Sequence, residues 1–327
     1  MASIPSENSR TLQSGEPLDS SVLNPPQTEG SLAWRVTGVL WMVRPHQWVK
    51  NGFVLAPIVF AKEVSALDLL VKAAAAFGVF CLLAGSVYAL NDLTDVDADR
   101  LHPVKRYRPI ASGRVPMSWV LPIVVTLIVI SLGVAAFINW AFAAVGLLYF
   151  VQNIAYTKKL KHIAYVDVGC IALGFVLRVL AGGLATGIQI SFYLIACTAL
   201  LALFLGFGKR RHEFAAAART GRQRIALESY RAGGLDLALT LTAAATVATY
   251  LAYTLDSHTR AFFHTDWLWT STLFVILGVF RFLFIVRKRP KAESPTQEML
   301  RDGPFVGIVM SWVVLVVWVV YNLRPGG

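Results

Sequence analysis

Charge is scarce in this chain. Asp, Glu, Lys and Arg make up 15% of its 327 residues, against 56% hydrophobic ones. Mean hydropathy is +0.59. That balance excludes an ordinary soluble domain and indicates a polytopic membrane protein. Cysteine is scarce as well. Cys81, Cys170 and Cys197 lie in apolar stretches without metal-ligand spacing, so neither disulfides nor a thiolate metal site is expected. Residues 1–30 are rich in Ser, Pro, Asn, Gln and Glu and have no apolar run of the signal-peptide kind. Residues 1–37 are expected to be a disordered cytoplasmic tail, ahead of one transmembrane domain over 38–327. Proline is missing from the middle of the apolar stretches, since Pro45, Pro57, Pro122 and Pro304 fall near their ends. A transporter or lipid carrier built on broken helices would show interruptions there, which weakens that reading.

What is present is an alternation of apolar spans and basic loops. Nine spans of bilayer length are expected, near 46–62, 67–91, 117–138, 140–157, 164–187, 191–208, 236–256, 267–287 and 304–322, giving an all-α bundle. Polar Gln152 and Asn153 end the fourth span and suggest a cavity wall. The loops after spans two, four, six and eight hold twenty Lys and Arg, while the opposite side offers four. The positive-inside rule then puts the amino terminus and these loops in the cytoplasm. The net charge of +11 is explained by topology and phosphate binding, and no nucleic-acid partner is expected. Long loops at 92–116 and 209–235 occupy matching places in two four-helix blocks.

Chemistry concentrates at those loops. Asn91-Asp92-Leu93-Thr94-Asp95-Val96-Asp97-Ala98-Asp99 ends the second span. On a continuous helix Asp92, Asp95 and Asp99 share a face, with Asn91 beside them and Asp97 pointing away. Such hard oxygen ligands suit Mg²⁺. Lys105, Arg106 and Arg108 follow at once. Tyr156, Lys159 and Lys161 surround the end of span four, and Lys209-Arg210-Arg211 the end of span six. These cations suit phosphate, although any cytoplasmic loop attracts them. Arg178 lies inside span five and needs a partner or a wet cavity, and Asp167 precedes it by three turns on the same face. Lys50 and Asn51 stand at the entrance of the first span. An acidic wall for Mg²⁺, basic walls for phosphate and apolar helices for a lipid tail fit transfer between a diphosphate donor and a polyisoprenoid.

The acidic run, followed by Arg108-Pro109-Ile110-Ala111-Ser112-Gly113, resembles the first aspartate motif of the UbiA-type intramembrane prenyltransferases. The resemblance covers roughly 38–322 and implies a UbiA-like bundle with a cytoplasm-facing active cavity. Most such enzymes carry a second aspartate motif after span six, where this chain has Gly208-Lys209-Arg210-Arg211-His212-Glu213. A narrower match explains the change. Arg44-Pro45-x-Gln47-Trp48-Val49-Lys50-Asn51, His102-Pro103-x-Lys105-Arg106-x-Arg108-Pro109, Leu160-Lys161-His162 with Asp167-Val168, Gly174-Phe175-Val176-Leu177-Arg178 and Gly208-Lys209-Arg210 resemble decaprenyl-phosphate phosphoribosyltransferases.

That family implies Mg-dependent transfer of 5-phosphoribose from phosphoribosyl diphosphate to a polyprenyl phosphate, in the inner membrane of a bacterium. The product would feed lipid-linked arabinose and cell-envelope glycan synthesis. Asp92, Asp95 and Asp99 would hold the metal, and the basic residues the phosphates. The alternative is prenyl transfer from a prenyl diphosphate to an aromatic acceptor. A homo-oligomer is left open.

Overall fold

The computed structural model describes residues 30–220, 230–288, 298–299 and 301–322. Helix α1, Leu32–Met42, begins inside the stretch expected to be a tail. The Ser31 hydroxyl caps it by accepting from the Trp34 amide. Arg114 ties it down through bonds to the Trp34 carbonyl and the Thr37 hydroxyl. The rest of the expected tail, residues 1–29, lies outside the described residues.

Among the described residues, seven helices are long and apolar enough to cross a membrane. They are α3 (Leu67–Thr94), α5 (Met117–Ile138), α6 (Trp140–Lys158), α7 (Val166–Thr186), α8 (Phe192–Thr220), α9 (Ala232–Leu255) and α11 (Thr272–Lys288), the last led by a 3₁₀ turn from Trp267. The short α4 (Val96–Leu101) and α10 (Ser257–Phe263) lie in connections. Helix α12, Gly303–Asn322, stands at the expected ninth place, with a shorter apolar stretch.

The first expected span is not a regular helix. Pro45–Leu55 winds as a 3₁₀ helix and a five-residue α2, Ala56–Phe60, follows. Pro45 and Pro57 each remove a backbone donor, which weakens a continuous α-helix here. The segment packs closely on α7: a Cβ on Gly182 would run into the Val54 carbonyl oxygen. The expected loop at 209 is also corrected. Helix α8 continues to Thr220, because Lys209 to Ala218 contain no breaker and Arg210–Glu213 is an i,i+3 ion pair.

Of four apolar clusters among the described residues, three surround the elements that carry the polar groups. Phe80, Phe142, Tyr149 and Leu177 pack α3, α6 and α7 together. Val168, Phe204, Leu235, Leu239 and Phe282 join α7, α8, α9 and α11. Met42, Val96, Ile110, Val115 and Val120 bury the 96–115 connection against α1 and α5. That connection is therefore part of the core, and it carries half of the candidate site.

Candidate active site

The acidic half forms where α3 gives way to α4. The expected single helix face is interrupted at Asp95, with φ −96° and ψ 8°, which closes one helix and opens the next. Val96 turns into the apolar cluster, and Asp92 and Asp99 become buried, each 2% exposed. Asp95 stays exposed and makes no ion pair with the described residues. One nitrogen, Arg108 Nη1, donates to both Asp92 Oδ1 (2.9 Å) and Asp99 Oδ2 (2.6 Å). Arg44 Nη2 adds a second bond to Asp92 Oδ1 at 2.5 Å. Its backbone is left-handed, at φ 52°, and its guanidinium stacks 5.0 Å from the Tyr88 ring centre. Lys105 Nζ lies 3.9 Å from Asp99 Oδ1. Asn91 is half-buried on the same helix end. Arg106 is exposed against Tyr107, and among the described residues Asp97 pairs only with Arg100, at 3.4 Å.

The basic half lies where α6 ends and α7 begins, against the later turns of α8. Asp167, in the first turn of α7, binds Arg210 Nε at 2.5 Å and accepts from the Tyr230 hydroxyl. Arg210 Nη1 donates to Glu213 at 2.6 Å, and the Arg210 charge also acts on the Tyr156 side chain. Burial and the bond to Asp167 push the Tyr230 phenol above its usual pKa. Tyr165, left-handed at φ 66°, donates its amide to that phenol at 2.8 Å. Arg211 pairs with Asp236 at 2.8 Å. Arg210 and Arg211 are thus already committed to carboxylates. Lys209 is half exposed, with Glu213 Oε1 4.0 Å from its Nζ. Lys159 and Lys161 remain toward the surface and make no ion pair with the described residues.

Deeper in the bundle, Arg178 is 7% exposed. Its partners are neutral. Nε donates to Asn51 Oδ1 (2.8 Å), Nη1 to the Gly174 carbonyl (2.8 Å) and Nη2 to the Tyr149 hydroxyl (2.7 Å). Asp167, on the same helix, serves Arg210 instead. Asn51 in turn donates to Cys81 Sγ at 3.3 Å. Gln152 donates to the Cys170 carbonyl at 3.0 Å, linking α6 to α7. Lys50 is exposed on the first segment, and the charges of Lys209, Arg178 and Arg44 all act on it. A dense cationic region with few free carboxylates is a site for polyanions.

Among the described residues, no three His, Cys, Asp or Glu side chains form a preformed metal cage. Two carboxylates nevertheless converge on a single cationic nitrogen. Such an oxygen pair suits Mg²⁺, which takes one or two carboxylates and completes its shell with water and phosphate. The structure also adds groups that the linear pattern did not single out. Tyr149 comes from α6, Tyr230 from the residues just ahead of α9, and Arg44 from the start of the 3₁₀ segment. Only the burial of their partners reveals them.

The UbiA prenyltransferase family model matches residues 52–301. A decaprenyl-phosphate phosphoribosyltransferase from Mycolicibacterium smegmatis is 40% identical over 220 residues, 66% of this chain and 69% of that one. Proteins of the same name from Corynebacterium glutamicum and Mycobacterium tuberculosis are 33% and 36% identical. They cover 87% and 86% of this chain, and 87% and 93% of their own. A UbiA homolog from Archaeoglobus fulgidus, solved with DMAPP and Mg²⁺, aligns with a TM-score of 0.61 at 19% identity, covering 87% of this chain and 99% of that one. A digeranylgeranylglyceryl phosphate synthase structure gives 0.62 at 18%, covering 88% and 99%. These two likenesses concern the fold. With the family's pattern running through both halves of the site and most of the bundle, the chain belongs to the UbiA prenyltransferase family.

Proposed function

We propose that the protein transfers 5-phosphoribose from phosphoribosyl diphosphate to a polyprenyl phosphate, releasing diphosphate. The observation that carries this is the 33–40% identity to decaprenyl-phosphate phosphoribosyltransferases along most of the chain. The geometry agrees, because the acidic half suits a metal-bound diphosphate and the basic half suits further phosphates. The reaction takes place in the inner membrane of a bacterium, with the site and the amino terminus in the cytoplasm, a placement supported by the basic loops.

Asp92 and Asp99, with Asp95 at the helix junction, would hold Mg²⁺, which neutralises charge on the departing diphosphate. Lys105 and Arg108 stand where they can bind that diphosphate once it arrives. The acceptor phosphate is already anionic and needs no strong general base. Its oxygen attacks the anomeric carbon as the bond to diphosphate breaks, giving polyprenylphosphoryl-5-phosphoribose with inverted configuration. Lys50, Lys159 and Lys161, which make no ion pair with the described residues, and the half-exposed Lys209 are the cations left to take the phosphates that the metal does not. Arg210 and Asp167 fix the start of α7 against α8, while Arg178 fixes the first segment through Asn51.

The test is a donor screen with purified protein in lipid. Labelled phosphoribosyl diphosphate should give a lipid product, and geranyl diphosphate none. A charge-assisted contact of about 1.5–3 kcal/mol predicts that Lys209→Ala or Lys50→Ala lowers kcat/KM for phosphoribosyl diphosphate roughly tenfold to a hundredfold. Efficient prenyl transfer, with unchanged kinetics in both variants, would refute the assignment.

A further inference from the structure

We infer that Arg108 is an internal occupant of the metal seat, so that the site takes a divalent cation as its diphosphate complex and resists the free ion. This rests on the metal-dependent reading above and extends it to the order in which the seat is filled.

The argument starts from Asp92 Oδ1. A carboxylate oxygen offers about two lone-pair directions. Arg44 Nη2 at 2.5 Å and Arg108 Nη1 at 2.9 Å supply two donors to this one atom. The same Arg108 nitrogen also binds Asp99 Oδ2 at 2.6 Å, and so occupies the point between the two carboxylates. Both carboxylates are buried, so their charge is poorly screened by water. A divalent ion can bridge them only if Arg108 withdraws.

Where Arg108 can go decides the affinity. With the free ion alone, the displaced guanidinium is left beside a double positive charge and close to Arg44 and Lys105, which contact the same two carboxylates. With a metal–diphosphate complex, it meets phosphate oxygens that match its planar fork. Its side chain is 28% exposed, so it has room to turn. Binding of metal and of diphosphate is therefore coupled through one side chain, and each raises the affinity of the other. The guanidinium gives up carboxylate partners for phosphate partners without losing its charge pairing.

The experiment uses Mn²⁺ as the probe and the full chain in lipid vesicles. Metal retained by the vesicles is counted after rapid filtration, with and without inorganic diphosphate, at matched free Mn²⁺. The wild type should retain Mn²⁺ at least about tenfold more tightly with diphosphate than without. Arg108→Gln should bind Mn²⁺ alone more tightly than the wild type, and most of the enhancement by diphosphate should vanish. Arg44→Gln, which removes one of the two donors on Asp92 Oδ1 but leaves Arg108 between the carboxylates, should show a smaller gain. Arg108→Lys keeps the charge without the fork and guards against a folding defect in the Gln variant. It should keep free Mn²⁺ out while losing part of the enhancement. Equal Mn²⁺ retention with and without diphosphate in the wild type would overturn the inference and leave the metal site standing. No specific Mn²⁺ retention in any variant, even with diphosphate, would remove the metal reading and the inference together.

Discussion

Asp92 and Asp99 are buried against guanidinium groups, while Asp95 between them meets solvent. The difference separates what each carboxylate does for the fold from what it does for the reaction. Asp92→Asn removes charge from bonds to Arg44 and Arg108. It should cost about 1–3 kcal/mol of stability as well as activity. Asp95→Asn touches no ion pair and should abolish Mg-dependent turnover while leaving the melting temperature unchanged. Asp97, 91% exposed, should tolerate Asn within about 0.5 kcal/mol and keep turnover. Thermal melts in detergent beside product assays separate these outcomes. Equal loss of turnover at Asp97 and Asp95 would contradict a defined metal-facing set. At this scale the sequence was informative about residue types and weak about partners. Spacing brought Asp92 and Asp99 together, but only the fold shows that one Arg108 nitrogen bridges them. It also shows that Asp167 serves Arg210 while Arg178 relies on Asn51 and Tyr149.

The elements matter through the close approach of Pro45–Leu55 to α7. That segment carries Lys50 and Asn51, and Gly182 allows it to sit where it does. Gly182→Ala would drive a methyl group into the Val54 carbonyl. It should destabilise the protein by roughly 1–3 kcal/mol and raise KM for the donor as Lys50 moves. Gly133, inside α5, has nothing within 4 Å of its would-be Cβ. Gly133→Ala should therefore be neutral or stabilising by up to about 1 kcal/mol. Melting curves and donor titrations of both variants test the pair, and an equal response at the two positions would contradict the packing account. The long apolar runs were legible because a bilayer demands about 20 apolar residues from any spanning helix. The first segment was less so: Pro45 and Pro57 announced irregularity, but the 3₁₀ path depends on contact with Gly182. The end of α8 was misplaced for another reason. Basic residues signal a cytoplasmic side, but Lys and Arg are also good helix formers and need not end a helix.

The whole molecule is a multi-pass bundle whose polar groups gather near the ends of α3, α6, α7 and α8, with apolar side chains elsewhere meeting lipid. Twenty Lys and Arg on one set of loops against four on the other predict which side holds the site. Cysteines placed at Ser112 and Ser257 should react with an impermeant thiol reagent from opposite faces of the membrane. Labelling of both from one face would overturn the orientation.

The central claim is that the bond broken joins the donor's anomeric carbon to diphosphate, and that the sugar 5-phosphate travels with the ribose. Two preparations of phosphoribosyl diphosphate test this directly, one labelled at the 5-phosphate and one at the terminal phosphate of the diphosphate. Each is incubated with the purified protein, Mg²⁺ and a polyprenyl phosphate, and then extracted into organic solvent. The 5-phosphate label should move into the lipid phase, and the diphosphate label should stay in water as free diphosphate. Diphosphate label in the lipid phase, or no transfer of either label while a prenyl diphosphate is consumed, would contradict the account.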